Sequence, residues 1–270
     1  MKMPAFQPSF LPLSNQSPGW GQAGLLPWDE AIFGFRVAEF RLGALPPNRD
    51  EMPLFRAALE EFAASSGVEL ISLRLDALSG PPIDVFCGAG FFPVDLSEEA
   101  SCTRLRPELM PKPRFGIRTA EPEDRPEILR IAGSAFRFGR YHTDPRFPRE
   151  LANRRYVHWV QNALASAEPG ESVFLLGAAP QRLGFFHVVL SDGVADLRLA
   201  AADPDSPVGL GLALYSETLF ALQRLGARRF FTKVSAANSG VLNLFASIGF
   251  RFSNPEYILH WHAPGAPHLL

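Results

Sequence analysis

Two glycines that precede a predicted helix are the residues of this sequence best suited to bind an anion. They lie in Pro207-Val208-Gly209-Leu210-Gly211-Leu212, which leads into a helical pattern. Such a turn leaves backbone N–H groups unpaired and directed outward, at the positive end of the helix dipole. A pyrophosphate can bind there, although a glycine turn taken alone is often only a tight turn.

Two features further along the chain strengthen the prediction of a phosphate ligand. Asn238 follows a strand-like run and is suited to cap a helix that begins near Ser239. Gly249-Phe250 then closes that helix. A glycine turn and a capped helix in this order among strands are more specific than the glycines alone, so we predict a phosphate ligand at the turn.

A second group of reactive side chains occupies residues 137–147. This stretch is too polar and too aromatic for an ordinary linker, and arginine side chains bind phosphate oxygens as planar forks. We expect it to bind a ligand that carries phosphates; the alternative is a solvated loop whose charges pair with one another. The candidate residues are Arg137, Arg140, Tyr141, His142, Asp144 and Arg146.

The sequence leaves several choices open for a general base. His142 has a suitable intrinsic pKa. His187 lies on a predicted strand, where a buried structural role is the simpler interpretation, and Asp196 and Glu217 are weaker candidates. A water molecule relayed by backbone carbonyls would need none of these side chains.

Three histidines near the C-terminus raise the question of a metal. His260 and His262 alternate on a predicted strand, with His268 close behind. The alternate spacing suits a metal ion, but the only acidic residue nearby in the sequence is Glu256 and no cysteine is near. We therefore expect no metal site.

Composition and charge limit the classes of protein that this chain can represent. Hydrophobic residues make up 47% of its 270 residues and charged residues 20%, which supplies a large core. The net charge is −2, without a basic run, so we expect no nucleic-acid partner. No signal peptide or membrane span is visible, which predicts a cytoplasmic protein that does not bind a membrane.

The two cysteines are more consistent with free thiols than with a disulfide. Cys87 and Cys102 lie fifteen positions apart, without a histidine cluster at ligand spacing. We predict that both are buried free thiols in a reducing compartment.

The chain divides by pattern into an arm and two domains. Residues 1–24 are rich in Pro and Gly and predict a flexible N-terminal arm. Residues 25–112 predict an αβ domain, with strands at 35–42 and 69–75 around a helix at 49–66 that ends at Gly67. The proline-containing stretch 106–114 is the candidate linker, and residues 113–270 form the second domain.

The second domain predicts a mixed αβ fold (α+β), with an antiparallel hairpin in the middle and a crossover at the end. The expected order is a strand at 115–119, helices at 121–136 and 151–167, strands at 172–177, 182–191 and 194–201, a helix at 210–225, a strand at 228–234, a helix at 239–248 and a strand within 251–261.

This second domain resembles the GCN5-related N-acetyltransferase (GNAT) superfamily. The resemblance is carried by Leu197–Ala201 as the coenzyme-facing strand, Ser206–Gly211 as the phosphate turn, and the segment from Asn238 to Gly249-Phe250. The superfamily usually has Arg or Gln where Ser206 stands, so one positive contact is missing. The backbone donors of the turn do not depend on that side chain.

A narrower likeness covers most of the chain. Residues 26–38 and 140–147, together with Tyr156, Trp159 and Gln161-Asn162, resemble the dTDP-fucosamine acetyltransferases, which acetylate the 4-amino group of sugar nucleotides. The segment that begins at Cys87 also resembles the Ser247-Ile-Gly-Phe ending of the second domain. The smaller N-terminal αβ domain is therefore interpreted as a degenerate GNAT-like half.

The resemblance implies a GNAT acyl-CoA N-acyltransferase fold and acetyl-CoA as co-substrate, with a small-molecule amine acceptor as the other partner; a homodimer is left open. It adds Tyr156 to the acceptor-binding residues, and we assign catalytic roles to His142, Asn238 and Ser247. The implied coenzyme-binding residues are Leu199, Ala200, Ala201, Val208, Gly209, Leu210, Gly211, Leu212, Asn238 and Phe245.

Phe245 departs from the superfamily pattern. It stands seven residues after Asn238, where the superfamily usually has a Tyr whose phenol protonates the departing thiolate. The thiolate could leave with help from water or the helix dipole, because a thiol pKa of about 8.5 makes it a tolerable leaving group. Alternatively, a neighbouring hydroxyl of Ser239, Tyr215 or Ser247 acts instead, or the protein binds acyl-CoA without turnover.

These observations together predict an acetyl-CoA-dependent N-acyltransferase that acts on the primary amine of a small polar acceptor. A nucleotide-linked amino sugar is the first choice of acceptor. The alternatives are another amine, such as an amino acid or an aminoglycoside-like compound, and a catalytically silent acyl-CoA-binding module. Ser206 and Phe245 motivate the silent module.

Overall fold

The computed structural model describes residues 10–13, 18–177, 183–206 and 209–269, and it confirms a mixed αβ fold. The elements of these residues are β1 (Phe10–Pro12), β2 (Gly21–Leu25), α1 (Pro27–Phe33), β3 (Arg36–Leu42), α2 (Met52–Ser66), β4 (Val68–Asp76), α3 (Ile83–Gly88), β5 (Phe92–Cys102), β6 (Ile117–Thr119), α4 (Arg125–Ser134), α5 (Arg140–Thr143), α6 (Arg149–Ala165), β7 (Glu171–Leu176), β8 (Gly184–Ser191), β9 (Val194–Ala202), α7 (Leu210–Arg224), β10 (Arg229–Ser235), α8 (Ser239–Ser247) and β11 (Arg251–His262).

The chain forms two compact units, and each unit is built from separate stretches of sequence. The first contains the chain up to residue 97, residues 139–152 and the chain from residue 254. The second contains residues 98–138 and 153–253. The predicted domains are continuous stretches with a boundary between residues 112 and 113. In the structure, residues 98–112 belong to the second unit, whereas residues 139–152 and the chain from residue 254 belong to the first.

The first unit contains a sheet in the order β1-β2-β3-β4-β11. β3 and β4 are parallel, because α2 connects them, and the other neighbours in this order are antiparallel. One core forms around Phe40, Phe55, Phe86 and Trp261. A second apolar cluster of this unit contains Phe33, Phe35, Leu70, Tyr141 and Phe147.

The predicted flexible arm is wrong for the described residues before 25. β2 pairs with β1 and with β3, so its glycines serve close packing instead of flexibility. A Cβ at Gly24 would lie 2.9 Å from the Phe10 ring, and one at Gly21 would lie 2.1 Å from the Arg41 carbonyl oxygen. Sequence composition alone does not distinguish these two uses of glycine.

The second unit contains a sheet in the order β10-β9-β8-β7-β6. β9 and β10 are parallel and the other neighbours are antiparallel. α4 and α6 pack on one face, against Phe185 and Leu199. α7 and α8 pack on the other face, against Phe186 and Phe230.

The predicted elements of the second domain agree closely with those observed. α7 ends next to Gly226, whose φ of 97° lies in the left-handed region that favours glycine. The stretch 137–147 contains α5, one short helix that the sequence did not predict. Both cysteines are free, as predicted, although only Cys102 is buried and Cys87 is exposed.

None of the described helices combines the length and the apolar character that crossing a membrane requires.

Candidate functional site

The N-terminus of α7 is open, as the predicted anion-binding turn requires. Gly209 precedes the helix with φ 98° and ψ −8°, and no side chain caps the helix. A Cβ at Gly209 or Gly211 would have no other atom within 4 Å. No hydrogen bond joins the amides of residues 209–212 to another part of the described chain. These amides are therefore available to a ligand.

Two acidic residues precede this turn, and one arginine holds both. Asp203 lies 2.5 Å from the Arg130 guanidinium, and Asp205 lies 3.5 Å from it. Arg130 also pairs with Glu127 on its own helix. Since the arginine offsets part of this negative charge, the carboxylates repel an incoming anion less strongly.

The strand that leads to the turn separates from its parallel neighbour. The ladder between β9 and β10 begins at Val194 opposite Arg229 and ends at Asp196 opposite Phe231. β9 continues to Ala202. On the side where β10 lies, the residues of β9 after Asp196 have no strand partner among the described residues. Their N–H and C=O groups on that side can pair with an extended ligand.

An irregularity in β9 lies at the start of this open stretch. His187 of β8 lies opposite Leu199, but the next residue of β8 lies opposite Leu197. Arg198 is therefore an extra residue, and such a β-bulge bends the strand. The Leu197 carbonyl accepts a hydrogen bond of 2.6 Å from Thr232 Oγ1, immediately beyond the last paired residues.

The predicted coenzyme-binding residues of β9 and α7 lie along this path. Leu199, Ala200 and Ala201 belong to the open stretch of β9. Gly209 precedes α7, and the helix itself supplies the remaining predicted residues of the turn, Leu210, Gly211 and Leu212. Val208 and Pro207 lie outside the described residues.

Asn238 caps α8, as the sequence predicted. Its side-chain oxygen accepts a hydrogen bond of 3.2 Å from the Val241 amide, and the residue is half-buried. Ser247 is exposed, and its hydroxyl donates to the Leu244 carbonyl at 2.7 Å. The Ser247 proton is thus engaged locally at the end of the helix, and the catalytic role of this residue stays a prediction.

Phe245 lies in the core of the second unit, with 1% of its surface exposed. Its ring packs at 4.5 Å from that of Phe250 and edge-on at 5.1 Å from that of Tyr215. Such burial leaves no surface for the coenzyme contact that was assigned to Phe245. Tyr215 is half-buried, and burial raises the pKa of its phenol, so this side chain keeps its proton at neutral pH.

His187 is buried and paired, which matches the structural interpretation of this residue. Its Nε2 lies 2.8 Å from Glu171 Oε1, and its Nδ1 is buried without a hydrogen-bond partner among the described residues. Burial lowers the pKa of His187, and the charge of Glu171 opposes this only in part. Burial raises the pKa of Glu171, but hydrogen bonds with Ser166 and His187 outweigh it and lower this pKa overall.

The two weaker base candidates are engaged in other contacts. Asp196 lies 2.9 Å from the guanidinium of Arg198. Glu217 is buried in α7, and its Oε1 accepts from the backbone amides of Arg114 and Phe115 at 2.8 and 3.0 Å. Glu217 therefore anchors the chain before β6.

Three of the predicted acceptor-binding residues contact other residues inside the first unit. The Tyr141 hydroxyl donates to the buried carboxylate of Asp29 at 2.7 Å, and Arg140 lies 3.6 Å from the same carboxylate. Asp144 is buried and contacts two histidines. These partners are distant in sequence, so local pattern does not indicate them, and they occupy groups that the sequence predicts to contact an acceptor.

The other predicted acceptor residues are more accessible. Arg137 is exposed and His142 is half-buried in α5. The Tyr156 ring stacks on that of Phe136 at 4.2 Å, and its hydroxyl donates to the Phe138 carbonyl at 3.2 Å. Arg137 and Tyr156 belong to the second unit, whereas His142 belongs to the first.

Comparison with known proteins identifies the fold. No protein-family model matches the chain, and no curated protein matches it significantly. Solved structures do: a GCN5-related N-acetyltransferase from Sphaerobacter thermophilus superimposes with a TM-score of 0.62 at 15% identity, over 90% of this chain and 76% of that one. The chain has the GNAT fold.

Two further structures agree with this assignment. A GCN5-related N-acetyltransferase from Kribbella flavida gives a TM-score of 0.56 at 18% identity, over 92% of this chain and 88% of that one. A tandem GNAT protein from the clavulanic acid biosynthesis pathway gives 0.51 at 13% identity, over 90% and 78%. The superfamily resemblance is thus confirmed as a fold, whereas the likeness to dTDP-fucosamine acetyltransferases gains no support.

Proposed function

We propose that this protein transfers an acyl group from acyl-coenzyme A, with acetyl-CoA as the first choice, to the primary amine of a small polar acceptor. One observation carries the proposal. Beyond Asp196, β9 is no longer paired with β10 among the described residues, and it leads to the N-terminus of α7, whose glycines face open space. Coenzyme A has an extended arm that is followed by a diphosphate, which matches an open strand that is followed by a helix N-terminus.

The two halves of this path would bind different parts of the coenzyme. The unpaired groups of Leu199 to Ala201 would bind the amides of the pantetheine arm as an added strand does. The amides of residues 209–212 would bind the diphosphate, assisted by the helix dipole. Because backbone groups do this work, the exchange of the usual Arg or Gln for Ser206 removes one charge but leaves the diphosphate donors intact.

The reaction needs an electrophile, a proton acceptor and a proton donor. When bound, the thioester supplies the carbonyl carbon, to which the amine nitrogen bonds while the C–S bond breaks. The nitrogen then loses a proton and the thiolate sulfur gains one. Backbone donors near the bulge at Arg198 would stabilise the oxyanion that develops on the carbonyl oxygen.

Tyr215 is our candidate for the proton donor that Phe245 cannot be. Its ring contacts that of Phe245, so it occupies the neighbourhood of the missing phenol. Its raised pKa keeps the proton available, whereas the Ser247 hydroxyl already donates to a backbone carbonyl. For the proton acceptor we propose water or His187, whose Nδ1 has no hydrogen-bond partner among the described residues.

The acceptor assignment rests on the sequence resemblance alone. A nucleotide-linked amino sugar remains the first choice, and amino acids or aminoglycoside-like amines are the alternatives. Arg137, His142 and Tyr156 remain the candidate contacts, because Arg140, Tyr141 and Asp144 bond to other residues of the protein.

A second candidate function is an acyl-CoA-binding module without turnover. The burial of Phe245 and the absence of a Tyr at its position favour it. Binding would then use the same turn and the same strand.

Two measurements in sequence test these functions. Purified protein is titrated with acetyl-CoA by calorimetry, and free thiol is then monitored in mixtures with nucleotide-linked amino sugars, amino acids and aminoglycosides. Thiol release that requires one amine class supports transfer and identifies the acceptor. Binding without thiol release across the panel supports the silent module, and the absence of acetyl-CoA binding refutes both.

A further inference from the structure

Asp144, His260 and His262 form a buried cluster in the first unit that the acyl-transfer proposal does not use. Their exposed fractions are 2%, 0% and 7%. Asp144 Oδ2 lies 2.7 Å from His260 Nδ1 and 2.8 Å from His262 Nε2. One donor atom of each residue lies within 4.8 Å of the other two.

The strand geometry explains why both histidines reach one carboxylate. His260 and His262 are two residues apart in β11, so their side chains leave the same face of the sheet. Asp144 comes from the segment after α5, and its Oδ1 accepts a hydrogen bond of 2.9 Å from the Arg146 amide, which orients the carboxylate. This is the acidic partner that the sequence around the histidines lacks.

We propose that this cluster is a binding site for a divalent transition-metal cation, with zinc as the representative ion. Two imidazole nitrogens and one carboxylate oxygen are a donor set that zinc and iron(II) bind in proteins, with further positions left for another ligand. In this structure both histidines pair with Asp144.

A fourth polar group lies on the same face. Ser72 of β4 is the direct cross-strand partner of His260, and directly opposite residues of an antiparallel pair share one face. Ser72 is 1% exposed, and its Oγ has no hydrogen-bond partner among the described residues. A buried hydroxyl without a partner is unfavourable, and a metal ion or a metal-bound water would give it one.

The imidazoles are free to present lone pairs to a cation. His260 Nε2 and His262 Nδ1 have no partner among the described residues, so no second hydrogen bond fixes either tautomer. Each ring can carry its proton on that outer nitrogen and direct the inner lone pair to a metal. Donor atoms at about 2.0–2.1 Å from a tetrahedral zinc ion lie about 3.3 Å from one another. Each imidazole nitrogen must therefore move about 0.5 Å further from Asp144 Oδ2.

The positive charge of Arg140 is already compensated. Arg140 acts electrostatically on His260, but it lies 3.6 Å from the buried Asp29 carboxylate and 3.1 Å from the Tyr141 hydroxyl. Asp144 supplies the negative charge of the cluster to a cation, because burial raises its pKa but the hydrogen bonds from His260 and His262 outweigh this and lower the pKa overall.

The test uses the full chain, because the cluster and Ser72 come from three separate segments. The protein is unfolded in a chelator, refolded with or without zinc, freed of excess metal and analysed by elemental mass spectrometry. Refolding is used because buried ligands exchange metal slowly. We expect about one zinc per chain and a higher thermal midpoint in the zinc sample. Cobalt(II) should give the visible absorption of a four- or five-coordinate site.

Two variants locate the metal. Asp144→Asn keeps the shape but removes the charge, and we expect it to lose zinc affinity at least about tenfold. His268→Gln is the matched control, because His268 pairs with Glu69 outside the cluster; it should bind zinc like the wild type. Wild-type protein that refolds without zinc or a cobalt spectrum overturns the proposal, as does unchanged affinity in Asp144→Asn. If that variant does not fold, the wild-type cobalt spectrum decides alone.

Discussion

A negative charge placed at the N-terminus of α7 should stabilise the fold and weaken coenzyme binding at the same time. Gly211→Glu is the suitable change, because a Cβ at this position meets no other atom within 4 Å. Gly209 is less suitable, since its φ of 98° would add backbone strain to any substitution. The first turn of α7 contains no acidic residue, so a new carboxylate there meets an uncompensated dipole.

The two effects can be estimated separately. A carboxylate in the first turn stabilises a helix by about 0.3–1 kcal/mol, and replacing a helical glycine adds about 0.5–1 kcal/mol. Against a diphosphate about 5 Å away, the same carboxylate costs about 1 kcal/mol per charge in water and about 3 kcal/mol at an effective dielectric constant of 20. We therefore expect a thermal midpoint raised by about 2–8 °C and an acetyl-CoA Kd raised at least about tenfold.

Calorimetric titration with acetyl-CoA and differential scanning calorimetry measure both quantities on the same sample. Leu54→Glu is the matched control: it adds the same charge to the first turn of α2, which also lacks an acidic residue, at a side chain that is 65% exposed. Gly211→Lys adds similar bulk with the opposite charge and should retain binding. Added salt should reduce the loss in Gly211→Glu. An unchanged acetyl-CoA Kd in Gly211→Glu would refute the proposed binding site of the diphosphate.

Three further outcomes follow from the second unit. Tyr215→Phe should lower kcat at least about tenfold and leave the KM for acyl-CoA nearly unchanged, whereas Tyr257→Phe in β11 should leave both unchanged; equal rates in the two variants would exclude Tyr215 as proton donor. Glu217→Ala should lower the free energy of unfolding by about 1–3 kcal/mol, because two backbone amides lose their acceptor, while Glu61→Ala on the exposed face of α2 should change it little in the same urea titration. The folded-state pKa of His187 lies below its unfolded value of about 6.5, so the unfolded chain takes up the proton first and stability falls as the pH drops below about 6.5; His187→Gln should make this fall shallower, and identical pH profiles would contradict the lowered pKa.

Local pattern was sufficient to predict the elements of the second unit. Helical spacing and terminal glycines such as Gly226 depend on neighbouring residues only, so helix α7 was predicted to within one residue of its observed end. The backbone donors of the turn were predictable for the same reason, because a helix N-terminus exposes its amides whatever the side chains are. The separation of β9 from β10 depends on the strand register, which the local pattern does not specify.

Long-range partners could not be predicted in this way. Asp144 contacts His260 and His262 from 116 and 118 residues away, and Asp29 binds Tyr141 across 112 residues. Charge and aromatic content marked these residues as unusual, but the same composition fits a ligand site and a buried network equally well. Only the fold decides which groups pair inside the protein.

The most direct test of the central claim is an amide NMR titration of 15N-glycine-labelled protein with acetyl-CoA. The chain contains 22 glycines. We expect Gly209 and Gly211 to show the largest amide chemical-shift changes, because their amides would bond to the diphosphate. Glycines remote from this turn, such as Gly67 and Gly88 of the first unit, should not move. Saturating acetyl-CoA that leaves Gly209 and Gly211 unshifted would contradict the account.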